Sequence, residues 1–359
     1  MNVSAALESA IAALPIDATG TSSLGDVGAR IRVALAGDRA AVSIACDVPL
    51  ATDAPAIEAR IGALLAGRDV QLGSFELLYR SVAHAVQGAL VPLANARNVI
   101  AVGSGKGGVG KSTTAVNLAL ALAADGARVG VLDADIYGPS VPTMLGLSTR
   151  PDSSDGKGIE PLRVHGIEFM SIGLLVEADT PMIWRGPMAT SALSTLLNDT
   201  RWGDLDILVV DLPPGTGDIQ LTLAQKIPVA GAVIVTTPQE VATLDARKAL
   251  KMFEKVKVPV LGLIQNMALH TCSSCGHVEH VFGEGGGARM ATDYGVPLLG
   301  SLPLDIAIRE QSDAGTPIVV ASPDSAAAAA YRGAARQLAI GLARRPRVSA
   351  GVSISLVET

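Results

Sequence analysis

Residues 99–113 read Val-Ile-Ala-Val-Gly-Ser-Gly-Lys-Gly-Gly-Val-Gly-Lys-Ser-Thr. The apolar run predicts a strand over 99–103, a glycine-rich turn follows, and a helix is expected from 111 to 125. The pattern G-x-x-x-x-G-K-S, from Gly105 to Ser112, requires this strand, turn and helix context. Its glycines let backbone N–H groups converge on phosphate oxygens, and the helix N-terminus adds partial positive charge. Gly105, Lys106, Gly107, Gly108, Val109, Gly110, Lys111, Ser112 and Thr113 are therefore the candidate phosphate-binding residues. Lys111 is placed to reach terminal phosphates and the Ser112 hydroxyl to bind Mg2+. Further strands are predicted over 129–133, 207–211, 232–236 and 260–266, with helices between them, for example 242–255. Alternation over this length predicts an α/β fold: a doubly wound, mostly parallel sheet with right-handed crossovers. Ligands on such sheets sit at the carboxyl ends of the strands.

Composition narrows the function classes. Aromatics are 3% of the 359 residues and the formal net charge is −6, which argues against reading nucleic acid by stacking or by a basic surface. Mean hydropathy is +0.40, yet no uncharged apolar run reaches the roughly 20 residues that a spanning helix needs. Residues 1–14 contain Glu8 and no basic start, and do not read as a secretory signal. Three cysteines give no disulfide framework and suit a reduced compartment. The expectation is a cytoplasmic protein that engages neither nucleic acid nor membrane.

Two further strands end in acids: Val131-Leu132-Asp133-Ala134-Asp135 and Leu208-Val209-Val210-Asp211. An apolar strand ending in Asp beside a phosphate loop suits a Mg2+ ligand, and Asp211 is the best candidate. Asp133 suits a structural role, capping or hydrogen-bonding the loop. Asn266 ends the 260–266 strand, and its amide can pair with an adenine edge. The extra cation Lys106 makes the loop resemble the deviant K-G-G-x-x-G-K-S form of dimeric ATPases, a class that includes septum-positioning and partitioning proteins and the nitrogenase iron protein. That resemblance implies a homodimer sandwiching ATP, with Lys106 crossing to the partner's nucleotide. It further implies that Asp135 orients the attacking water, and that Pro303 and Asp305, after the 298–302 strand, form a base-side loop.

Thr271-Cys272-Ser273-Ser274-Cys275-Gly276 separates this chain from a generic ATPase. A C-x-x-C turn suits a soft metal but supplies two ligands where zinc sites and iron–sulfur clusters take four. His277 and His280 could complete a local set, although their spacing is far tighter than a zinc finger's. The pair could instead form a redox disulfide. The preferred reading is that two copies each donate Cys272 and Cys275 across a two-fold axis. The thiols lie six residues from Asn266, so nucleotide state could alter how firmly two subunits hold a shared cluster.

With Ile136–Pro142 after the acid pair, Trp184-Arg185-Gly186-Pro187-Met188, Asp211-Leu212-Pro213-Pro214-Gly215-Thr216-Gly217-Asp218, and Asn266-Met267 before the cysteines, residues 97–345 resemble the Mrp/ApbC family of iron–sulfur cluster carrier ATPases. The resemblance implies Mg2+-dependent ATP binding, slow hydrolysis, a labile 4Fe-4S cluster and its transfer to apo iron–sulfur proteins after receipt from cluster donors. Arg185 is a candidate for contact with a dimer partner. The first 90 residues predict strands over 31–35, 41–48 and 70–79 and a helix over 54–65. They resemble the small α+β module often fused to this family, without its Asp-Pro-Glu stretch or Cys-Pro pair. Cys46 precedes Asp47 and reads as a small buried residue, and no site is expected there. Residues 80–97 read as a linker and 346–359 as a flexible tail.

Overall fold

A computed structural model describes residues 3–348, apart from 17–19, 21, 89, 137, 154, 155, 157 and 176–185. Trp184, Arg185 and Tyr137 thus lie outside the described residues. The N-terminal region comprises α1 (Val3–Ala12), β1 (Arg30–Ala36), β2 (Arg39–Cys46), α2 (Ala54–Ala66) and β3 (Gln71–Tyr79). Gly37, with φ +65°, makes the tight β1–β2 turn, a conformation that a β-carbon disfavours. The three strands form one sheet, antiparallel then parallel, and Leu7, Ile11, Ile57, Ile61 and Leu65 are buried against it.

The second part begins with β4 (Ala96–Ser104), α3 (Lys111–Ala124), β5 (Val129–Asp133), the short α4 (Val141–Met144), β6 (Leu162–Val164) and β7 (Ile167–Ser171). It continues through α5 (Gly186–Asp199), β8 (Leu205–Asp211), α6 (Asp218–Lys226), β9 (Gly231–Thr236), α7 (Glu240–Lys255) and β10 (Val260–Gln265). A small hairpin of β11 (His270–Thr271) and β12 (Val278–Glu279) precedes α8 (Gly286–Tyr294), β13 (Leu298–Ser301), α9 (Ile306–Asp313), α10 (Ile318–Ala321) and α11 (Ala326–Ala343).

Among the described residues the central sheet has eight strands in the order β13-β10-β9-β4-β8-β5-β7-β6. All its pairings are parallel except β6–β7. β5, β8 and β9 are buried along their whole length, which is why they are continuous apolar runs and not alternating ones. Alternate residues feed two cores. Ile100, Val102, Val131 and Val209 face α3 and α11, while Val99, Ala101, Leu132 and Val210 face α5, α6 and α7. The N-terminal module joins the first of these cores.

The β6–β7 hairpin was not expected from the sequence. It turns at His165 and Gly166, both with positive φ. The linker and tail are also more ordered than their composition suggests. Gln87 is buried and donates to the carbonyls of Ala224 at 2.9 Å and Ile227 at 2.6 Å, while Val229 N–H donates back to it. At the other end, Arg347 pairs with the buried Asp47, and residues 346 and 348 exchange backbone hydrogen bonds with 85 and 83. The expectation of a flexible tail thus fails for 346–348: Asp47 would otherwise be a buried charge without a counter-ion. Residues 349–359 lie outside the described residues.

Candidate nucleotide and thiol site

The phosphate loop leaves the end of β4 and enters α3 at Lys111. Gly105 is obligatory for packing, since a β-carbon there would fall 2.1 Å from the Asp245 carbonyl in α7. Gly110 is obligatory twice over. Its φ is +77°, and a β-carbon would meet the Asn266 amide nitrogen at 2.2 Å. The loop is thereby clamped between α7 and the end of β10, with its N–H groups opening at the N-terminus of a 14-residue helix.

Two carboxylates meet this loop. Lys111 Nζ lies 2.6 Å from Asp211 Oδ1, 3.6 Å from Asp135 Oδ2 and 3.2 Å from Ser112 Oγ. Lys111, Asp135 and Asp211 are each buried. The second oxygens, Asp135 Oδ1 and Asp211 Oδ2, are also buried and lack a hydrogen-bond partner. Burial pushes the Asp211 carboxyl above its ordinary range, with Lys111 opposing. Two acids sharing one lysine, with two orphaned acceptor oxygens, fit a hard divalent cation that also takes phosphate oxygens. That cation would neutralise the developing charge on a transferring phosphoryl group.

Asp133 is engaged differently. Its Oδ1 accepts from the Asp135 N–H at 3.1 Å and its Oδ2 from the Ser171 hydroxyl at 2.9 Å. The first bond supports the turn that presents Asp135, and the second ties the end of β5 to the end of β7. Burial, then the neighbouring Asp211 charge, raise its carboxyl. Ser171 went unnoticed in the sequence because it ends β7, a strand the residue pattern did not announce.

The base-side residues converge on one cavity. A space of about 370 Å3 is lined by Gly110, Thr113, Asn266, Met267, Pro303, Leu304 and Asp305 among others. Asn266 donates its amide to the Val109 carbonyl at 2.9 Å, which leaves its Oδ1 as the group able to accept from a base. Asp305 caps α9 by accepting from Ala307 N–H at 2.9 Å. Lys106 is half-buried, and no described carboxylate forms an ion pair with its ammonium group.

The cysteines occupy the tip of the β11–β12 hairpin. Cys272 N–H donates to His277 O and Gly276 N–H to Cys272 O, each at 2.9 Å, and Gly276 takes φ +72°. Cys272 is half-buried and Cys275 exposed. The Cys272 thiol lies below its ordinary range because the N–H groups of Cys275 and Ser274 point at its sulfur, an environment that favours the metal-binding thiolate. Among the described residues no three His, Cys, Asp or Glu side chains gather as a metal site, so His277 and His280 do not complete a four-ligand set with the pair. His280 instead uses Nδ1 on the Ala268 carbonyl at 2.8 Å. Cys46 stands apart, buried, donating to Val48 O at 3.0 Å and pushed up to about 11 by burial.

Comparison with known proteins agrees with this chemistry. Residues 95–339 match the ParA group, described as NUBPL iron-transfer P-loop NTPase. An iron–sulfur cluster carrier protein of Pseudomonas fragi is 61% identical over 251 residues, covering 69% of this chain and 88% of that one. The iron–sulfur cluster transfer protein NUBPL of Mus musculus is 53% identical over 242 residues, covering 67% and 76% respectively. Among solved structures, an ADP-bound nucleotide-binding protein from Archaeoglobus fulgidus, in which cobalt was found, is 41% identical with a TM-score of 0.55, covering 62% of this chain and 87% of that one. The chain belongs to the iron-transfer P-loop NTPase family.

Proposed function

We propose that this protein is an iron–sulfur cluster carrier that binds and slowly hydrolyses Mg2+-ATP. It works as a homodimer in which two copies of the thiol hairpin share one 4Fe-4S cargo, received from cluster donors and passed to apo-proteins. The observation that carries the reading is the pairing of a complete phosphate loop with a hairpin whose two thiols gather no third His, Cys, Asp or Glu ligand among the described residues.

The division of labour follows from the geometry. The loop N–H groups and Lys111 bind phosphate oxygens, drawing Lys111 away from Asp211. Ser112 and Asp211 hold Mg2+. Asp135, presented by Asp133 and half-engaged with Lys111, orients the attacking water, and Lys106 reaches the partner's nucleotide. Asn266, Pro303 and Asp305 border the adenine. Cys272 and Cys275 hold the cluster by thiolate bonds. A partition or septum-type ATPase acting on DNA or membrane would leave the thiol hairpin without a role. No described helix is long and apolar enough to cross a membrane, and we place the protein in the cytoplasm. A reductase of the nitrogenase-iron-protein type would turn over electrons and not cargo.

The test is anaerobic reconstitution with iron and sulfide, followed by transfer to an apo-enzyme with and without ATP. The proposal requires restored recipient activity without net redox change. A reconstituted protein that exchanges electrons but never releases iron would point to the reductase.

A further inference from the structure

The thiol hairpin is too short to fix its own geometry. Its sheet pairs only His270 with Glu279 and Thr271 with Val278, and isolated two-stranded ribbons are marginal in water. Its base, however, is stitched to the nucleotide cavity. Leu304, which lines that cavity, donates its N–H to Leu269 O at 2.7 Å. The Leu304 carbonyl accepts from His270 Nδ1 at 3.0 Å. Both backbone groups of one cavity-lining residue are therefore bonded to the hairpin. Ala268 N–H adds a third tie, to Leu302 O at 2.9 Å. Between Asn266 and this stitch sits Met267, which also lines the cavity and takes φ +54°. A bulky residue in that region is strained, and such strain persists where surrounding contacts over-determine it.

We propose that the Leu304–His270 stitch transmits nucleotide occupancy of the base cavity to the thiol hairpin, with His270 as the positioning residue. A nucleotide that contacts the 303–305 segment fixes Leu304, and fixing Leu304 orders the strand that leads into Cys272. By reciprocity, a cargo that rigidifies the thiol turn alters nucleotide affinity by the same factor. The cargo half of this statement rests on the function proposed above; the link from cavity to hairpin does not.

The experiment is amide hydrogen exchange on the metal-free 359-residue chain with and without saturating ADP and Mg2+, in the wild type, His270→Ala and His270→Asn. Asn offers an amide donor where His has Nδ1. The reporters are the Cys272 and Gly276 amides. Nucleotide is expected to slow their exchange by about fivefold or more, the low end of ordinary coupling, in the wild type and in His270→Asn. In His270→Ala the slowing falls below about twofold at ADP concentrations that saturate the variant. Slowing that survives in His270→Ala, or that is absent from the wild type, overturns the proposal. So does a His270→Asn protein whose hairpin is protected without nucleotide yet unresponsive to it. In a second arm, ATP affinity is compared between metal-free and reconstituted protein: a wild-type difference that His270→Ala abolishes supports the coupling, and one that His270→Ala retains overturns it. A chain that never assembles a cluster refutes the carrier reading and leaves the exchange result standing.

Discussion

The phosphate centre and the thiol hairpin are built on opposite principles. The first hangs from strands buried on both faces, and its lysine and acids are almost wholly withdrawn from water. The second is an exposed tip on two-residue strands, held to the body by a few hydrogen bonds. Hydrolysis chemistry needs preorganised charge in a dry setting, where it costs no rearrangement at the moment of reaction. A labile cargo needs ligands that open without unfolding anything, and low local stability is what a hairpin of this size supplies. The difference predicts that substitutions at the first centre disturb the whole fold, whereas those at the second act on the cargo and spare the fold.

The largest effect is expected from Lys111→Ala. The sequence alone suggests a variant that loses phosphate binding and keeps its fold. The structure adds a cost, because Asp211 and Asp135 are left buried without their cation. ATP hydrolysis should vanish, and stability should fall by about 3–5 kcal/mol, as when one partner of a buried pair is removed. Denaturant titration beside an ATPase assay checks both, and full hydrolysis or unaltered stability would break the contrast. Next, Cys272→Ala and Cys275→Ala should each drop iron from roughly two atoms per chain to near none, with the fold intact and ATP bound at the affinity of the metal-free wild type. Cys46→Ala should leave iron untouched, because its thiol is buried and remains protonated at neutral pH. Iron analysis with nucleotide titration distinguishes the three.

A smaller effect concerns pH. Burial raises the carboxyls of Asp133 and Asp211 above the ordinary aspartate value of 3.8. Between that value and their folded-state values the native protein binds more protons than the unfolded chain. Stability of the nucleotide-free protein should therefore fall as pH rises from about 4, by at most about 1.4 kcal/mol per unit for each group. Thermal melts across this range should show the decline, and Mg2+-ATP should flatten it by compensating the buried charge. A profile that rises steadily with pH would contradict the burial account.

Legibility in the sequence divides along the same line. The phosphate loop, the apolar strands ending in Asp133 and Asp211, and the cysteine pair each show in a few consecutive residues, because local backbone geometry demands those residue types. Asp133 is decided by Ser171, 38 residues away. Gln87 is pinned by carbonyls some 140 residues on, and Arg347 by Asp47, 300 residues back. The Leu304–His270 stitch spans 34. Contacts made by folding distant segments together leave no period or motif for a single sequence to display.

The central claim is that cargo and dimer are one fact: two thiols per chain require two chains. The measurement is iron content beside sedimentation mass on anaerobically reconstituted protein. The account predicts roughly two irons per chain, for a four-iron cluster, found only in material of twice the chain mass and lost with either cysteine. A monomer that carries a full metal complement, or a site that disappears when His277 and His280 are replaced, would contradict it.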